Sequence, residues 1–400
     1  MTVAVVAGSD AGHAFPALGL AARLSAAGMR PIVYTGERWA PAASARGLQV
    51  RALPSLAARV DDDDEDAGAK LSVRAARMAV ELAPELALAG VDLVVSDVIT
   101  VAGGWAAELV GVPWIELSPH PLYQQSRALP PIGAGMAAGT GVRGRLRDAL
   151  LRAGARPAEA RGRRQRRRAR RAIELAGPSE PAARLVATLP ALEVARPDWP
   201  ADTHLVGPLL FEPTDEIFAR PDGDGPLVVV APSTAATGAG DLGEAALIAL
   251  ARVQARRPVR VVYSALTAPP TTTAPTGLVA ATARQDELLP DADLVICGGG
   301  HGMLAKTLLA GVPVVTVPGG GDQWELANRV QRMGCGVLVR PATAEALETA
   351  IESVLDDAER ADRARAAAAS AAQVVDPVAV IARTHARCVG ARGEAGVACG

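Results

Sequence analysis

A glycine-rich turn in the second half of the chain has the residue types of a phosphate-binding site. Residues 297–303 read CGGGHGM and precede an apolar segment that is typical of a helix. Backbone amides freed by Gly298, Gly299, Gly300 and Gly302 would lie at the positive end of that helix, which suits a diphosphate better than a neutral ligand. The turn therefore predicts binding of an activated, phosphate-bearing metabolite.

A polar pair follows the next apolar strand. Asp322 and Gln323 come directly after GVPVVTVPGGG, residues 311–321. The small residues leave open space above the strand end, and both side chains can hydrogen-bond a small polar ligand. Asp322 can also begin an N-capped helix, and this alternative is compatible with ligand binding.

A histidine and an aspartate in the first half could form an acid–base pair. His13 lies between the first apolar run and the first turn of a helix opened by Pro16, where the helix dipole would keep it neutral. Asp97 ends the run VDLVVSD. If the strands lie close, Asp97 accepts the proton of the imidazole and stabilises the cation formed when His13 deprotonates a hydroxyl. Alternatively both side chains only cap helices, and spacing does not decide between these readings.

Alternating strands and helices must position these residues. Strands with apolar residues on both faces are typical of a parallel sheet covered by helices on each side, so we predict an α/β fold with two doubly wound domains. Ligands of such sheets bind at the carboxyl ends of the strands, here in a cleft between the domains. The predicted strands are 3–7, 31–35, 48–53, 91–96 and 114–117, then 227–231, 259–263, 293–297 and 312–317.

The composition excludes several classes of function. The 41 basic and 43 acidic residues give a net charge of −2, which is no general reason to expect nucleic acid or an anionic membrane as a partner. Cys297, Cys335, Cys388 and Cys399 form neither a CxxC pair nor a disulfide framework. The N-terminus has no basic leader, and no stretch reaches the roughly 20 apolar residues of a spanning helix. We expect a soluble cytoplasmic protein.

Three further segments have an unusual composition. Residues 211–226, rich in proline, glycine and acidic side chains, predict an exposed linker. The acidic run at 61–66 is interpreted as a solvated loop tip rather than a metal site. The basic run RGRRQRRRARR, residues 161–171, is interpreted as a solvated helix, with contact to an acidic acceptor or partner as the alternative.

An ordered set of motifs, spanning about residues 3 to 375, resembles a known family. It resembles the inverting nucleotide-sugar-dependent glycosyltransferases of the UDP-glycosyltransferase and antibiotic-glycosyltransferase type. The motifs are GHAFP (12–16), SD (96–97), ATLPALEVARPDWPADTHLVGPL (187–209), RQDELLPDADLVICGGGHG (284–302), and AGVPVVTVPGGGDQ (310–323) with Asn328.

The resemblance implies the GT-B architecture, in which two Rossmann-like domains face each other across a cleft. The implied domains are an acceptor-binding domain (1–213), a linker (214–226), a donor-binding domain (227–375), and a terminal helix and tail (376–400) that cross back to the first domain. The implied reaction is a single displacement with inversion, in which a helix N-terminus stabilises the leaving diphosphate. Neither a metal nor a cofactor is expected.

The resemblance also implies roles for individual residues. His13 would be the general base on the acceptor hydroxyl, and Asp97 would orient it. On the donor side, Ser233, Thr234, Gly302 and Met303 would lie near the phosphates, Gln285 near the nucleoside, and Asp322 and Gln323 at the sugar hydroxyls.

Three positions depart from the family pattern. Gly298 stands where the family usually has a histidine that contacts the diphosphate, and His301 is the substitute in the turn. Lys306 stands where a glutamate usually binds the ribose, so it either serves phosphate or points to solvent, since an ammonium cannot accept hydrogen bonds. Arg284, near the usual base-stacking aromatic, could stack through its guanidinium plane.

These features predict an O-glycosyltransferase that moves a hexose or deoxyhexose from a UDP or TDP sugar to a small hydrophobic acceptor such as a secondary metabolite. The apolar, proline-rich stretch 117–136 is the expected acceptor-side loop, and its His120 is a rival base. The alternatives are a nucleotide-sugar 2-epimerase of the same architecture and a catalytically silent nucleotide-sugar-binding partner. A dinucleotide-dependent dehydrogenase is disfavoured, because Gly8, Gly12 and His13 do not complete GxGxxG.

Overall fold

Two parallel sheets form the framework of the chain. The computed structural model describes residues 1–57, 59, 66–233, 238–270 and 274–397. Thr234, positions 61–65 of the acidic run and Cys399 lie outside the described residues. The strands are β1 (Thr2–Val6), β2 (Arg30–Thr35), β3 (Gln49–Ala52), β4 (Leu93–Asp97), β5 (Trp114–Ser118), β6 (Ala183–Val186), β7 (Thr203–Leu205), β8 (Leu227–Ala231), β9 (Arg260–Ser264), β10 (Val279–Ala281), β11 (Leu294–Cys297), β12 (Val314–Thr316) and β13 (Gly336–Leu338).

Helices cover both faces of these sheets. Their apolar sides pack on strands whose residues are almost all buried, as the unbroken apolar runs predict. The helices are α1 (Ala11–Ala26), α2 (Ala40–Ser44), α3 (Ala67–Leu88), α4 (Ala102–Val110), α5 (Gly141–Ala172), α6 (Leu242–Gln254), α7 (His301–Leu309), α8 (Asp322–Met333), α9 (Ala344–Leu355), α10 (Ala358–Ala369) and α11 (Pro377–Val397).

Strand order reverses once in each sheet. The first sheet has the order β3-β2-β1-β4-β5-β6-β7 and the second β10-β9-β8-β11-β12-β13. All neighbours are parallel, with Val6 opposite Ser96 in the first sheet and Ala231 opposite Cys297 in the second. The connections therefore leave in opposite directions after β1 and β4, and after β8 and β11, which opens a crevice at the carboxyl edge of each sheet. The predicted α/β class is confirmed.

The first helix begins earlier than the sequence predicts. Helix α1 starts at Ala11, so Pro16 lies inside it and His13 is its third residue rather than part of the preceding turn. Short or partly exposed strands were also missed, namely β6, β7, β10 and β13, because runs of three or four residues carry little periodic signal.

The predicted exposed linker is partly buried. Phe211 packs in the core of the first sheet and Phe218 in a core of the second. Between them, the side chain of Glu212 is only 7% exposed. The aromatic rings attach the linker to both domains, which the surrounding proline, glycine and acidic residues obscured in the sequence.

The C-terminal helices tie the two domains together. Ala364 and Ala367 of α10 are buried in a core of the second sheet, whereas Val380 and Ile381 of α11 are buried in the core of the first. Within residues Ala358–Ala391 one 18-residue window reaches a mean hydropathy of 1.2, which by length and composition alone is weak evidence for a membrane-spanning helix. The expectation of a chain without a spanning helix stays a prediction. The domain boundaries stay a prediction.

Helix α1 should be sensitive to a single methyl group where it packs on the backbone just before the linker. A Cβ on Gly19 would lie 2.6 Å from the carbonyl oxygen of Leu210, which cannot swing away as a side chain would. We expect Gly19→Ala to lower the free energy of unfolding by roughly 1–3 kcal/mol, measured by chemical denaturation. Gly12→Ala on the same helix is the control, since a Cβ there meets nothing within 4 Å. Equal stability of the two variants would contradict this packing.

Candidate active site

One cavity joins the carboxyl edges of the two sheets. It has a volume of about 490 Å³ and receives residues from both domains and from the linker. Asp97 and Gly299 lie behind its wall rather than on it. The predicted site residues that line it are His13, His120, Ser233, Gln285, Gly298, Gly300, His301, Gly302, Met303, Asp322 and Gln323.

His13 and Asp97 meet at the reversal point of the first sheet. His13 follows β1 and Asp97 ends the adjacent β4, and His13 Nδ1 lies 2.8 Å from Asp97 Oδ1. The other carboxylate oxygen accepts hydrogen bonds from the backbone N–H and the hydroxyl of Thr100, at 3.2 and 2.9 Å. With Nδ1–H donated to Asp97, Nε2 keeps its lone pair for a proton on the cavity side.

The aspartate raises the basicity of the histidine. Burial lowers the pKa of His13, but the hydrogen bond and the charge of Asp97 raise it more, so the net shift is upward from about 6.5. The sequence expectation that the helix dipole keeps His13 neutral is therefore wrong in direction. A base with a pKa nearer the working pH accepts a proton more readily.

The rival base has a different environment. His120 Nδ1 is 2.8 Å from the carbonyl oxygen of Pro121, and its ring stacks on Tyr123 with 4.2 Å between centroids. Burial lowers the pKa of His120. Its ring meets that of His13 edge to face at 6.4 Å. His120 thus lies beside His13 without an orienting carboxylate of its own, which suits contact with an acceptor better than proton abstraction.

The proline-rich loop within residues 117–136 is held by helix α8 of the second domain. The indole N–H of Trp324 donates to Ala134 O at 3.3 Å, and Gly135 N donates to Glu325 Oε2 at 2.8 Å. Arg332 Nη1 donates to Gly135 O at 2.7 Å. The loop before α5 is therefore fastened to the helix that begins with Asp322.

The glycine turn places a helix N-terminus at the reversal point of the second sheet. Gly300 is the N-cap of α7, with no side-chain cap, and the first-turn N–H groups have no intrahelical partners. Gly299 has a φ of 78°, a left-handed conformation that favours glycine. A Cβ on Gly298 would lie 2.9 Å from that of Ser233, so the closeness of β8 and β11 requires glycine there. The glycine turn and the helix N-terminus are therefore formed as predicted, and binding of a diphosphate there stays a prediction.

His301 does not turn its Nε2 toward this cradle. That atom lies 2.9 Å from the hydroxyl oxygen of Thr188 in the first domain. Burial, with a smaller effect from His120, lowers the pKa of His301 to about 3, so the ring is neutral at physiological pH. His301 is therefore a poor substitute for a histidine that contacts a diphosphate, because its ring is uncharged and its Nε2 already contacts Thr188.

Asp322 and Gln323, the polar pair at the start of α8, make different contacts. Gln323 Oε1 accepts from Gly319 N and its Nε2 donates to Ser233 Oγ, both at 2.9 Å, which leaves one amide hydrogen for a ligand. Asp322 is the first helical residue, and the N-cap is Gly321 without a side-chain cap bond. Its carboxylate lies 3.5 Å from the hydroxyl of Tyr123. The helix therefore begins at Asp322, as the alternative interpretation predicted, but the side chain of Asp322 does not cap it and lines the cavity instead.

Lys306 is buried and paired, so the interpretation that it points to solvent is wrong. Its Nζ donates to Glu212 Oε1 at 2.5 Å and to Gln285 Oε1 at 3.0 Å. Gln285 Nε2 in turn donates to Ser264 Oγ at 2.9 Å. Glu212 of the linker thus places its carboxylate beside the ammonium of Lys306 on α7, and both side chains line the cavity. Arg284, in contrast, binds Asp286 through two hydrogen bonds and does not line the cavity.

Comparisons with known proteins agree with this geometry. Residues 259–386 match the family model described as Erythromycin biosynthesis protein CIII-like, C-terminal domain. Over 327 residues the chain is 29% identical to 4'-demethylrebeccamycin synthase of Lentzea aerocolonigenes. The aligned region covers 72% of this chain and 73% of that protein. The chain is therefore similar to proteins of antibiotic biosynthesis, through its C-terminal part for the family model and over most of its length for the synthase.

Solved structures support the fold of this glycosyltransferase. The glycotransferase of kitacinnamycin superposes with a TM-score of 0.73 at 19% identity, covering 96% of this chain and 98% of that one. Glycosyltransferase SsfS6 of Streptomyces sp. SF2575, complexed with thymidine diphosphate, gives a TM-score of 0.63 at 20% identity, with coverage of 94% and 97%. The predicted GT-B fold is confirmed.

Sequence reasoning missed several residues at the site of this glycosyltransferase. Glu212 was assigned to an exposed linker, and Thr100 carried no motif that set it apart. Tyr123 and Thr188 lay inside the stretches 117–136 and 187–209 but received no role. The lysine at position 306, one of only two in the chain, was the one signal that a carboxylate had to lie nearby. Its partner is 94 residues away in sequence, so only the fold identifies it.

Replacement of Asp97 should lower the pKa of His13. In Asp97→Asn the hydrogen bond to a carboxylate and its charge are both lost. Because the folded-state pKa of His13 is raised, its protonation stabilises the wild type fully below about pH 6.5, and this is lost as pH rises through the folded pKa. NMR titration of His13 measures the shift, and denaturation across that window measures the stability. Asp10→Asn is the comparison, which removes only a weaker charge effect and should lower the pKa of His13 less. An unchanged pKa in Asp97→Asn would contradict the assignment.

Lys306 and Glu212 should be energetically coupled. We expect Lys306→Met or Glu212→Gln alone to cost roughly 3 kcal/mol, because each leaves a buried partner unpaired. The double variant should cost clearly less than the sum of the two, measured in a double-mutant cycle. The more exposed pair Arg46–Asp215 is the comparison, where the same cycle should give about 1 kcal/mol or less. Additive effects at Lys306 and Glu212 would refute the coupling.

Proposed function

We propose that this glycosyltransferase transfers a hexose or deoxyhexose from a UDP or TDP sugar to a hydroxyl of a small hydrophobic acceptor, with inversion. The observation that carries the proposal is the juxtaposition of two sites in one cavity. The His13–Asp97 pair lies at the reversal point of the first sheet, and the N-terminus of α7 lies at that of the second.

The proposed chemistry is one displacement. The acceptor oxygen attacks the anomeric carbon while His13 Nε2 takes the hydroxyl proton, and Asp97 stabilises the imidazolium. The bond from the anomeric carbon to the diphosphate oxygen breaks on the opposite face, so the configuration inverts. First-turn amides of α7, including those of Gly302 and Met303, stabilise the negative charge on the leaving group. The expectation that no metal takes part stays a prediction.

Donor recognition is proposed to use residues from three segments. Asp322, with its carboxylate on the cavity, accepts hydrogen bonds from sugar hydroxyls, and Gln323 contributes its remaining N–H. Ser233, held by Gln323, lies beside the phosphates. Glu212 accepts from the ribose hydroxyls in place of a helix glutamate, and Lys306 and Gln285 hold it in position. The solved relative complexed with thymidine diphosphate supports a TDP sugar as one candidate donor.

Acceptor binding is proposed to involve the apolar side of the cavity. Phe15, Leu209 and Leu210 line it together with the rings of His120 and His13. This apolar surface favours an enzyme that transfers the sugar to a second molecule. A 2-epimerase, in contrast, needs no acceptor pocket. A cytoplasmic location is part of the same proposal.

The decisive experiment measures product and donor binding on the same variants. We expect His13→Ala to lower the rate of sugar transfer by about 10²–10⁴-fold, detected by mass spectrometry of acceptor mixtures, because the general base is lost. His120→Ala is the matched control and should retain far more activity. Both variants should keep the rise in melting temperature that UDP or TDP sugars give the wild type, since their donor sites are intact.

Each contrary outcome identifies the error. The absence of a thermal shift with any UDP or TDP sugar would refute donor binding. A thermal shift without product in the wild type would indicate a silent partner protein, and conversion of the sugar nucleotide without an acceptor would indicate an epimerase. A larger loss of activity in His120→Ala than in His13→Ala would overturn the base assignment.

A further inference from the structure

A second cavity, of about 470 Å³, lies in the first domain under the basic half of α5. The C-terminal half of α5, together with α4, β5 and the turn before β6, forms its walls. None of the predicted donor residues lines it, and it is separate from the interdomain cavity. We call it the arginine cavity, after Arg163, Arg166, Arg167, Arg170 and Arg171, which line one side of it.

These arginines form one face of the helix. Their spacing is i, i+3, i+4, i+7 and i+8, which is the spacing at which a helix packed on a sheet usually presents apolar residues. The remaining arginines of the same run, including Arg164 and Arg168, do not line the cavity. The prediction of a helix over the basic run is confirmed, and most of its side chains are solvated. A random excess of arginine gives no reason for five of them to converge on one cavity.

One of the five is buried and incompletely satisfied. Arg170 is only 3% exposed, and its Nη2 donates to Glu108 Oε2 at 2.7 Å while its Nε donates to Gly177 O at 3.3 Å. Its Nη1 is buried without a hydrogen-bond partner among the described residues. Buried donors are nearly always paired, so this N–H is an exception. Because Nη1 itself is closed off, the exposed arginines of the same helix face are the groups that can meet a ligand oxygen in the cavity.

Another part of the lining is aromatic. Trp105 and Trp114 belong to it, and the guanidinium of Arg170 lies 5.7 Å from the ring centre of Trp105.

The charged groups on the lining are partly paired. Of its carboxylates, Glu116 pairs with Arg184 at 3.3 Å, and Asp97 is engaged by His13 and Thr100. Of the five arginines, Arg170 pairs with Glu108 at 2.7 Å and Arg163 with Glu159 at 3.5 Å. The other three, Arg166, Arg167 and Arg171, form no ion pair with a described residue, so the unpaired charge on the lining is positive.

We propose that the arginine cavity is a second ligand site, which binds a small aromatic anion carrying a carboxylate or a phosphate. The arginines bind the anionic group through charge-assisted hydrogen bonds, and the tryptophans contact the ring. A volume of this size holds one such molecule. The site adjoins Asp97, so its occupant lies on the far side of the carboxylate that orients His13. The proposal concerns binding and does not depend on the transfer reaction.

The test is isothermal titration calorimetry of the full chain with phenyl phosphate and benzoate. Inorganic phosphate and phenol are the probes that lack the ring or the charge. We expect saturable one-to-one binding of phenyl phosphate or benzoate, with phenol and inorganic phosphate each about tenfold weaker or more. In Arg166→Gln/Arg167→Gln, affinity should fall about tenfold or more, because two charged donors are lost from the site. Both positions are exposed, so the variant should fold.

The matched control is Arg164→Gln/Arg168→Gln, which removes the same charge from the same helix outside the cavity. It should change the affinity by less than about twofold. Equal losses of affinity in the two double variants would indicate nonspecific attraction to a basic surface and would refute the proposed site. Binding that neither variant weakens would place the probe elsewhere, and no binding of either anion would also refute the proposal. If inorganic phosphate binds as tightly as phenyl phosphate, the proposed contact between the tryptophans and an aromatic ring of the ligand is refuted.

Discussion

The reversal of strand order between β1 and β4, and again between β8 and β11, is the constraint on which the site depends. Parallel strands deliver their carboxyl ends to one edge, and the reversal leaves that edge uncovered by connections. His13 and Asp97 therefore meet although they are 84 residues apart, and the N-terminus of α7 opens beside Ser233. When the two edges face each other, an acid–base pair and an anion cradle share one cavity.

The linker adds an ion pair to the cavity between the two domains. Phe211 and Phe218 fix it to the two cores, and the residue after Phe211 presents a carboxylate to Lys306. A buried ammonium without a counter-charge would be strongly unfavourable, so Lys306 and Glu212 require each other. The exchange of an acidic helix residue for a basic one is thus compensated from another part of the chain, and the cavity keeps a hydrogen-bond acceptor.

Local patterns in the sequence predicted the main strands and helices well. Features that depend on contacts between distant residues could not be predicted. The buried strands near Val3–Val6, Leu227–Ala231 and Leu294–Cys297 were found because continuous apolar runs have only one use in a doubly wound fold. The start of α1 was missed because Pro16 is favoured at a first turn but is tolerated inside the helix. The raised pKa of His13 could not be predicted, since the helix dipole and Asp97 act in opposite directions and only their distances decide the sum.

The sequence by itself determined the two-sheet fold, the glycine turn at the start of α7, and the placement of His13, Asp97 and Asp322 near the carboxyl edges of the sheets. These follow from hydrophobic periodicity and from the backbone freedom of glycine, which are local properties. Only the tertiary structure decided that Lys306 pairs with Glu212, that His301 turns to Thr188, and that five arginines of α5 line a cavity. The physical reason is that a charge or a hydrogen-bond donor selects its partner by distance in space, and the sequence does not record that distance.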